Sequence, residues 1–494
     1  MAEDESCVGQ LVGVEDSDII TNDKNQLGQY QVYKQRWFVA FLVVLLNLSN
    51  QLTIQSFSPA ASVVAEYYNT SDENVNLLYM SYVFVSIPMG FVSMWLLDSI
   101  GLRLSLLIGS WANVIGNTLR LISTLHFVPS SLTFPLVLTG QFIAGSAFPI
   151  FTNCPTKVSE QWFSEKERTL STMITTTGFA SILVNILSPM LIEYKGVQFM
   201  LIIYGIPALL GAVLTTFGLH SSVPPSPPSA SASGNTQPFW TGLKQILKIK
   251  QYWIFVVAYG LGGGLDISFG ALSEEMMCTH GYTPTFIGLV SAFNIGIGII
   301  GSLAASLFVD RTKLFEETAK VTLSLGVVFS SLSMTVSCIP HQEVLIIIFS
   351  ILNGILFSAA YPVSVELLVE NTYPVAEATS LGILGIISYT MSIPSTFMFE
   401  VLSQPMTPYE EIHQKCTLSH RPPSYTGSIM RKSNITKPKD MTVAMMVYSG
   451  LASLQALWII LFFKSDNRRL NTEKSHSLIT DLPESVQEST HVRA

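Results

Sequence analysis

Twelve long apolar segments follow one another along the chain, separated by shorter polar ones. Each is long enough to cross a bilayer, because about 20 apolar residues of helix span a hydrocarbon core of about 30 Å. Segments of this length predict helices, since a helix satisfies its own backbone polar groups in lipid. The predicted spans are 37–58, 75–97, 104–125, 132–153, 170–190, 199–219, 251–275, 286–308, 320–339, 343–365, 379–401 and 441–463.

Composition supports the same fold class. Hydrophobic residues make up 49% of the 494 residues and charged residues only 12%, about half the charge of a typical soluble chain. The predicted fold class is therefore an all-α membrane protein with twelve transmembrane helices. Residues 1–30 are polar and acidic and do not resemble a cleavable signal peptide, so we expect the first span to serve as its own signal anchor.

Basic residues in the short loops predict the orientation. With the N-terminus inside, the loops on the inner face collect most of them, whereas the short loops on the other face hold little beyond Lys195. Both termini are then predicted to be cytoplasmic, in the plasma membrane or an endomembrane organelle. The basic residues of the inner loops are Arg103, Lys157, Lys166, Arg168, Lys244, Lys248, Lys250, Arg311, Lys313 and Lys320.

Two kinds of covalent modification are predicted on the outer face. Asn69 and Asn434 begin sugar-acceptor tripeptides in loops that the orientation places outside. Cys278 and Cys416 also lie in outer loops, which face an oxidising compartment. They either form a disulfide or remain two free thiols. The five cysteines contain no CxxC pair, so the sequence predicts no metal or redox site.

A Pro- and Ser-rich stretch divides the chain after the sixth span. Residues 220–238 have the composition of an extended linker, and 239–250 have apolar and basic residues at the spacing of an amphipathic helix on the membrane surface. The predicted domains are a cytoplasmic tail (1–36), a six-helix half (37–219), the cytoplasmic linker with its amphipathic helix (220–250), a second six-helix half (251–463) and a second cytoplasmic tail (464–494).

One loop pattern occurs at the equivalent place in both halves. Asp98, followed by Arg103, ends the second span, and Asp310-Arg311 ends the eighth. Two six-helix halves with this repeated loop resemble the major facilitator superfamily. That resemblance implies that the loops latch the halves through charge pairs and helix ends and favour the outward-facing state. The alternative interpretation is ordinary charges at the ends of membrane spans.

Further segments resemble one branch of that superfamily. In the first loop, Ser99 and Leu102 replace basic residues of the superfamily pattern, a variant similar to solute carrier family 49, the feline leukaemia virus subgroup C receptor relatives. The similarity runs from Lys34 to Arg469, and the linker resembles the branch called major facilitator domain-containing protein seven. The other similar segments are Gly140-Gln141, the residues Pro155, Lys157, Trp162, Phe163 and Glu167, and the glutamate-rich stretch 365–377.

The resemblance implies a transporter without fixing its substrate. Relatives move choline or ethanolamine, haem export has been proposed for them, and they hold the cation with an aromatic pair in the first and seventh spans. Ile54 and Ile267 occupy those places here, and Phe179 and Tyr389 replace two glutamines of the family. An isoleucine offers no aromatic face, so choline transport is one possibility and not an inference.

The sharpest candidate for a substrate-binding residue is Asp266. It follows the glycine run 260–264, which can bend or unwind the seventh helix, and an acid there can bind a cation or carry a proton. The alternative is an acid that is hydrogen-bonded to a neighbouring helix. The other candidates, which also have an alternative role in bonding helix to helix, are Asn50, Gln55, Gln141, Asn353, Tyr361 and Tyr389. Asn50 and Gln51 cannot share a helix face, so only one subset of the first span lines a cavity.

Three glutamates are predicted to act at the cytoplasmic end. Glu366, Glu370 and Glu377 are interpreted as gating partners for basic residues of neighbouring loops, or else as a solvated acidic loop. The gating set is completed by Asp98, Arg103, Asp310 and Arg311.

No motif of an enzyme or an ATP-driven pump stands in the sequence. We therefore expect no catalytic residue, no cofactor and no nucleic-acid partner; the expected partners are a small-molecule solute and the lipid bilayer, with the chain as a monomer. The predicted function is a secondary transporter that moves a small organic solute by alternating access. An amine or other cationic metabolite is one candidate substrate. The alternative is a non-transporting membrane receptor or scaffold that retains the fold.

Overall fold

The protein is a bundle of long helices, seen in a computed structural model that describes residues 31–57, 61–70, 72–176, 179–228, 232, 239–406 and 439–465. Ten helices among these residues have the length and hydropathy of a membrane span. A further helix, Leu102–Ile122, has 21 residues and is the third span. The fifth span contains residues 177 and 178, which lie outside the described residues. The prediction of twelve spans is confirmed.

The first half contains three spans built from more than one helix. The first span is Gln35–Gln55, the second is Asp72–Trp95 with a π-helical end Leu96–Ile100, and the third is Leu102–Ile122. The fourth is Ser130–Ser146 with Phe148–Trp162. The fifth is Arg168–Thr175 with the first part of Phe179–Gly218, and the sixth is the remainder. The last two are separated at Gly196, which has a positive φ of 83°. A short helix, Ala61–Tyr67, precedes the second span.

The second half has six continuous spans. They are Lys250–Cys278, Pro284–Thr312, Phe315–Ser337, Glu343–Thr372, Glu377–Leu402 and Thr442–Phe462. Two-residue strands, Gln404–Pro405 and Lys439–Asp440, pair antiparallel between the last two spans. The tenth span continues beyond its predicted end at 365, since no glycine or proline interrupts it before Pro374. The expectation that Glu366 and Glu370 lie in a loop is therefore wrong, because both are on this helix.

The predicted amphipathic helix is shorter than expected and packs partly against the protein. It runs over Phe239–Ile246, and Phe239 and Ile246 are buried in the core of the second half. Trp240 and Leu247 remain exposed. The apolar face is thus shared between the bundle and its surroundings.

Glycines in the seventh span serve close packing. The helix is continuous from Lys250 to Cys278, so the glycine run does not unwind it in this conformation, and a bend there stays a prediction. A Cβ atom at Gly263 would lie 2.7 Å from Ser388 Oγ, and one at Gly264 would lie 2.7 Å from Met391 Cβ. Small residues let two membrane helices approach closely, so the run fixes the seventh span against the eleventh.

Candidate functional site

One end of the bundle is closed by contacts between the two halves, and we call it the latch end. Asp98, in the π-helical end of the second span, accepts hydrogen bonds on Oδ2 from Thr379 N at 2.9 Å and Thr379 Oγ1 at 2.5 Å. Thr379 lies in the first turn of the eleventh span. A carboxylate at this place satisfies free N–H groups and complements the helix dipole.

A buried lysine completes this contact. Lys157 Nζ lies 3.5 Å from Asp98 Oδ1 and 3.6 Å from Glu160 Oε2, and its side chain is only 5% exposed. Glu377, the first residue of the eleventh span, is also buried and interacts electrostatically with Lys157. We call Asp98, Lys157 and Thr379 the first latch.

The second latch repeats this arrangement with the halves exchanged. Asp310, at the end of the eighth span, accepts from Thr169 N at 3.2 Å and Leu170 N at 3.0 Å. These amides begin the helix Arg168–Thr175 of the fifth span. Glu366 Oε1 accepts from Thr172 Oγ1 at 2.7 Å. Asp310, Thr169, Leu170, Thr172 and Glu366 form the second latch.

Basic and acidic groups surround the second latch. Lys313 Nζ donates to Glu165 O at 2.8 Å, which adds a contact between the halves. Arg168 and Glu370 are both buried and line a small cavity together with Asp310 and Glu366. The tenth span thus brings its glutamates to the start of the fifth span, where the predicted basic partners stand.

Two of the predicted gating residues lie elsewhere. Arg103 and Arg311 are exposed, and the basic side chains beside the aspartates are Lys157 and Lys313 instead. Gly101 has a positive φ of 100° and turns the chain into the third span, where Arg103 N donates to Ser222 Oγ at 3.1 Å. The geometry does not support a latch role for either arginine.

Between the halves, four aromatic rings form an edge-to-face series that we call the aromatic chain. Tyr79 and Tyr82 of the second span have centroids 5.1 Å apart, and Tyr82 lies 5.3 Å from Phe148 of the fourth. Phe148 lies 5.8 Å from Tyr389 of the eleventh span. Tyr389 is about 18 Å of helical rise from Glu377, so the aromatic chain joins the halves near mid-depth.

Asp266 is exposed, and the residue that follows it, Ile267, packs on the aromatic chain. Tyrosines of both halves lie within electrostatic range of its carboxylate, namely Tyr79, Tyr82, Tyr259 and Tyr448. The exposure is therefore toward the space between the halves. No basic side chain of the described residues interacts with this carboxylate. An acid without a cation at membrane depth is costly, so Asp266 stays a predicted substrate-binding residue.

Two isoleucines hold the places of the family's aromatic pair, and both contact the aromatic chain. Ile54 is buried among Tyr82 and Phe148, and Ile267 packs on the same cluster. On the adjoining face of the first span, Gln55 Nε2 donates to Gln51 Oε1 at 3.0 Å, and both side chains are half-buried. The subset with Gln51 and Gln55, rather than Asn50, faces the space between the halves.

Asn50 and Gln141 are fully buried within the first half. Asn50 Nδ2 donates to Asn113 Oδ1 at 3.1 Å and to Ala144 O at 2.9 Å. Gln141 Nε2 donates to Ile54 O at 3.0 Å. These bonds favour the alternative role of both residues, which is to join helices rather than to line a cavity.

The tenth span contributes two further candidates. Tyr361 is exposed and lies within electrostatic range of Tyr259 and Tyr389, so it faces the same space as Asp266. Asn353 is half-buried, and its Oδ1 makes no hydrogen bond with a described residue. Tyr361 and Asn353 both stay predicted substrate-binding residues, and of the two only Tyr361 lies within electrostatic range of the other tyrosines.

A buried arginine of the third span belongs to the internal polar network. Arg120 stacks 4.6 Å over the Phe57 ring and donates to Ser56 Oγ and to Asn117 Oδ1 at 3.4 Å. Asn117 Nδ2 in turn donates to Thr53 Oγ1 at 2.9 Å. Together with Asn50 these bonds connect the first and third spans.

A separate cavity of about 400 Å³ opens at the end of the first half opposite the latches. Tyr68, His126 and Lys195 are among its lining residues. Burial raises the pKa of Tyr68 to about 12, so its phenol stays protonated beside Ser123 Oγ at 3.0 Å. None of the lining residues belongs to the aromatic chain, and the cavity is not part of the site around Asp266.

The predicted modification sites are only partly within the described residues. Asn69 is exposed, at a positive φ of 50° in the turn after Ala61–Tyr67. Cys278 is disulfide-bonded, and its partner lies outside the described residues. Cys416 and Asn434 also lie outside them. Glycosylation and the pairing of Cys278 with Cys416 stay predictions.

Comparison with known proteins identifies the family. Residues 43–396 match the Major Facilitator Superfamily. Solute carrier family 49 member A3 of Danio rerio is 34% identical over 451 residues, which cover 90% of this chain and 90% of that protein. The chain belongs to solute carrier family 49. The predicted family is therefore confirmed, and membership of a transporter family agrees with the expectation that the chain is not an enzyme.

More distant relatives agree on the fold. The human Choline/ethanolamine transporter FLVCR2 is 23% identical over 386 residues, covering 74% of this chain and 72% of that one. The structure of the proton:xylose symporter XylE bound to 6-bromo-6-deoxy-D-glucose matches with a TM-score of 0.62 and 14% identity, covering 87% of this chain and 96% of that chain. The major facilitator fold in two six-helix halves is thus established.

Several residues near Asp266 and the latches carry no signal in the sequence that predicts their position. Tyr79 and Tyr82 are two of them, because tyrosines one turn apart are ordinary in a membrane helix. Phe148 starts the second helix of the fourth span, and its contacts with Tyr82 and Tyr389 depend on how three spans pack together. Thr379 is not predictable for another reason. It donates to Asp98 partly through its backbone N–H, which is free only because Thr379 lies at the start of a helix.

Proposed function

We propose that this chain is a secondary transporter that moves a small organic solute by alternating access, and that the described conformation is its outward-facing state. The observation that carries the proposal is the pair of latches. Each takes an aspartate from one half and the start of a helix from the other, and both stand at the same end of the bundle. At the predicted orientation that end is cytoplasmic, while Asp266 remains exposed between the halves.

The chemistry of the latches suits a reversible closure. They consist of a few hydrogen bonds and charge pairs rather than a broad apolar contact. Such groups can exchange their partners for water when the halves separate, whereas exposing apolar surface to water costs free energy. Two discrete arrangements of rigid halves are what alternating access about a central site requires.

Cationic solutes suit the site best. Asp266 carries a negative charge without a basic partner among the described residues, and aromatic rings beside it attract positive charge. The relatives named as choline/ethanolamine transporters handle small amino alcohols, which is consistent with an amine or other cationic metabolite as the substrate here.

The alternative is a membrane receptor or scaffold that retains the fold without transport. It predicts ligand binding without flux. Two latches with equivalent geometry argue against it, because a protein held in one conformation needs no matched pair of polar closures.

The test is uptake by purified protein in liposomes, against a labelled panel of choline, ethanolamine, other amines, haem precursors and organic anions, with and without a pH gradient. We expect saturable flux of at least one amine, lost in Asp266→Asn and retained in Arg103→Ala, whose side chain is exposed outside the latch. Binding without flux in a folded protein would support the receptor instead.

A further inference from the structure

We propose that Asp266 and the tyrosine hydroxyls of the aromatic chain form a binding site for protonated amines that retain N–H groups, and that the site discriminates against quaternary ammonium ions. This inference rests on the proposed transport function and specifies the substrate class of the same site.

The charge of Asp266 demands a cation or a proton. Its carboxylate is exposed to the space between the halves, and the groups within electrostatic range are tyrosines rather than bases. A charge at membrane depth is stabilised mainly by a partner of opposite sign. The neighbouring residue, Ile267, packs on the aromatic chain, and within the described residues no base interacts with the Asp266 carboxylate. An arriving cation, or a proton in its absence, takes that place.

The rings beside Asp266 are packed against one another. Each of the three neighbouring pairs in the aromatic chain is edge-to-face, with interplanar angles of 77°, 76° and 62°. In that arrangement the edge of one ring occupies part of the face of the next. A quaternary ammonium ion binds through open aromatic faces, and Ile54 and Ile267 add none. The site therefore offers such an ion few free faces.

Hydrogen-bond acceptors, in contrast, are concentrated here. Tyr82 Oη donates to Tyr79 Oη at 3.3 Å, so the Tyr79 oxygen is part of a polar pair within range of the carboxylate. Phenol and carboxylate oxygens accept bonds from N–H. An amine with N–H groups satisfies them, whereas a fully methylated nitrogen leaves them unpaired. A site built for hydrogen bonds rejects an analogue that lacks the donor.

The test is binding of four probes to the purified full-length protein, namely ethanolamine and its N-methyl, N,N-dimethyl and N,N,N-trimethyl derivatives. They share one skeleton and differ only in the number of N–H groups. We expect affinity to fall along the series, by about tenfold or more from first to last, since one hydrogen bond to a charged group is worth about that factor. Equal or rising affinity overturns the proposal.

Variants separate the hydroxyls from the rings. Tyr79→Phe and Tyr82→Phe keep the rings and remove the hydroxyls, so they should flatten the series. Phe148→Leu removes a ring and should weaken all four probes by a similar factor. Tyr194→Phe, at a tyrosine that is 70% exposed, is the matched control and should change nothing. An unchanged series in both hydroxyl variants contradicts the inference.

The same proteins distinguish this inference from the proposed function. Asp266→Asn should abolish binding of every probe while the melting temperature shows a folded protein. If amines are transported but the methylation order is reversed, transport stands and the discrimination is wrong. If no amine binds and another solute is carried, the amine site is wrong and the transporter remains. If nothing is carried and nothing binds, both proposals fail.

Discussion

The first latch gives the sharpest prediction about conformational change. Asp98 accepts two hydrogen bonds from Thr379 and lies 3.5 Å from Lys157. Asp98→Asn keeps the size and one acceptor oxygen but removes the charge. Hydrogen bonds to charged groups contribute about 1.5–3 kcal/mol each. Because asparagine still accepts one weaker bond, and Lys157 keeps Glu160 at 3.6 Å, we expect a net loss of about 2 kcal/mol.

That loss translates into a change of population. A difference of about 2 kcal/mol changes an equilibrium constant about 30-fold. If the conformation with a separated latch end makes up about 1% of the wild type, a typical value for a minor state, it becomes roughly a quarter of the variant. Asp310→Asn should act similarly, and the double variant should approach the sum because the two latches share no residue.

Spin-label distances measure this shift. Arg103→Cys and Arg311→Cys place labels at exposed positions of opposite halves at the latch end, so separation lengthens their distance. Pulsed electron–electron double resonance should show a second population with a longer label-to-label distance in Asp98→Asn. Glu316→Gln is the control, since Glu316 pairs with Lys320 inside one half. A distance distribution identical to wild type in both aspartate variants would refute the latch interpretation.

Three further outcomes follow from single positions. Gly264→Ala should destabilise the protein by about 1–3 kcal/mol through overpacking, which a lower melting temperature would show. Gly270→Ala, with open space around it, should not destabilise the helix. Equal effects of the two substitutions would contradict the packing argument. Asn50→Leu should cost about 1–3 kcal/mol because buried partners lose their bonds, and thermal unfolding should show a smaller loss for half-buried Gln51→Leu. Asn69→Gln should remove one glycosidase-sensitive mobility step in mammalian cells, and an unchanged pattern would place that loop on the opposite face or show it unmodified.

The fold could be predicted from the sequence because the patterns that indicate it are long and repeat along the chain. Twelve apolar segments, a Pro- and Ser-rich divider and two aspartates at equivalent loops are each visible without coordinates. Lipid leaves the backbone few alternatives to a helix, so hydropathy alone fixes the number of spans. Helix ends were less accurate, since the fourth and tenth helices run on to Trp162 and Thr372 through polar residues that are buried against neighbouring helices, and hydropathy does not register such a continuation.

Only part of the candidate site could be predicted from the sequence. Asp98, Asp310, Asp266 and Glu366 stood out because acids at helix ends and at membrane depth are rare and costly. Arg103 and Arg311 were expected beside the aspartates, but a few degrees of backbone rotation decide which of several neighbouring bases reaches a carboxylate. Of the bases found there, Lys157 lies in a segment that resembles the family, but nothing in the local sequence marks Lys157 or Lys313 as the partner of an aspartate.

What the sequence by itself determined is the family, the twelve helices and the presence of an unusual acid in the seventh one. What only the tertiary structure decided is the set of partners: the helix start that each aspartate caps, and the tyrosines that meet Asp266. Helical periodicity fixes the face of a residue within its own span. The faces that meet across two halves depend on how all the helices pack together, and no local pattern records that arrangement.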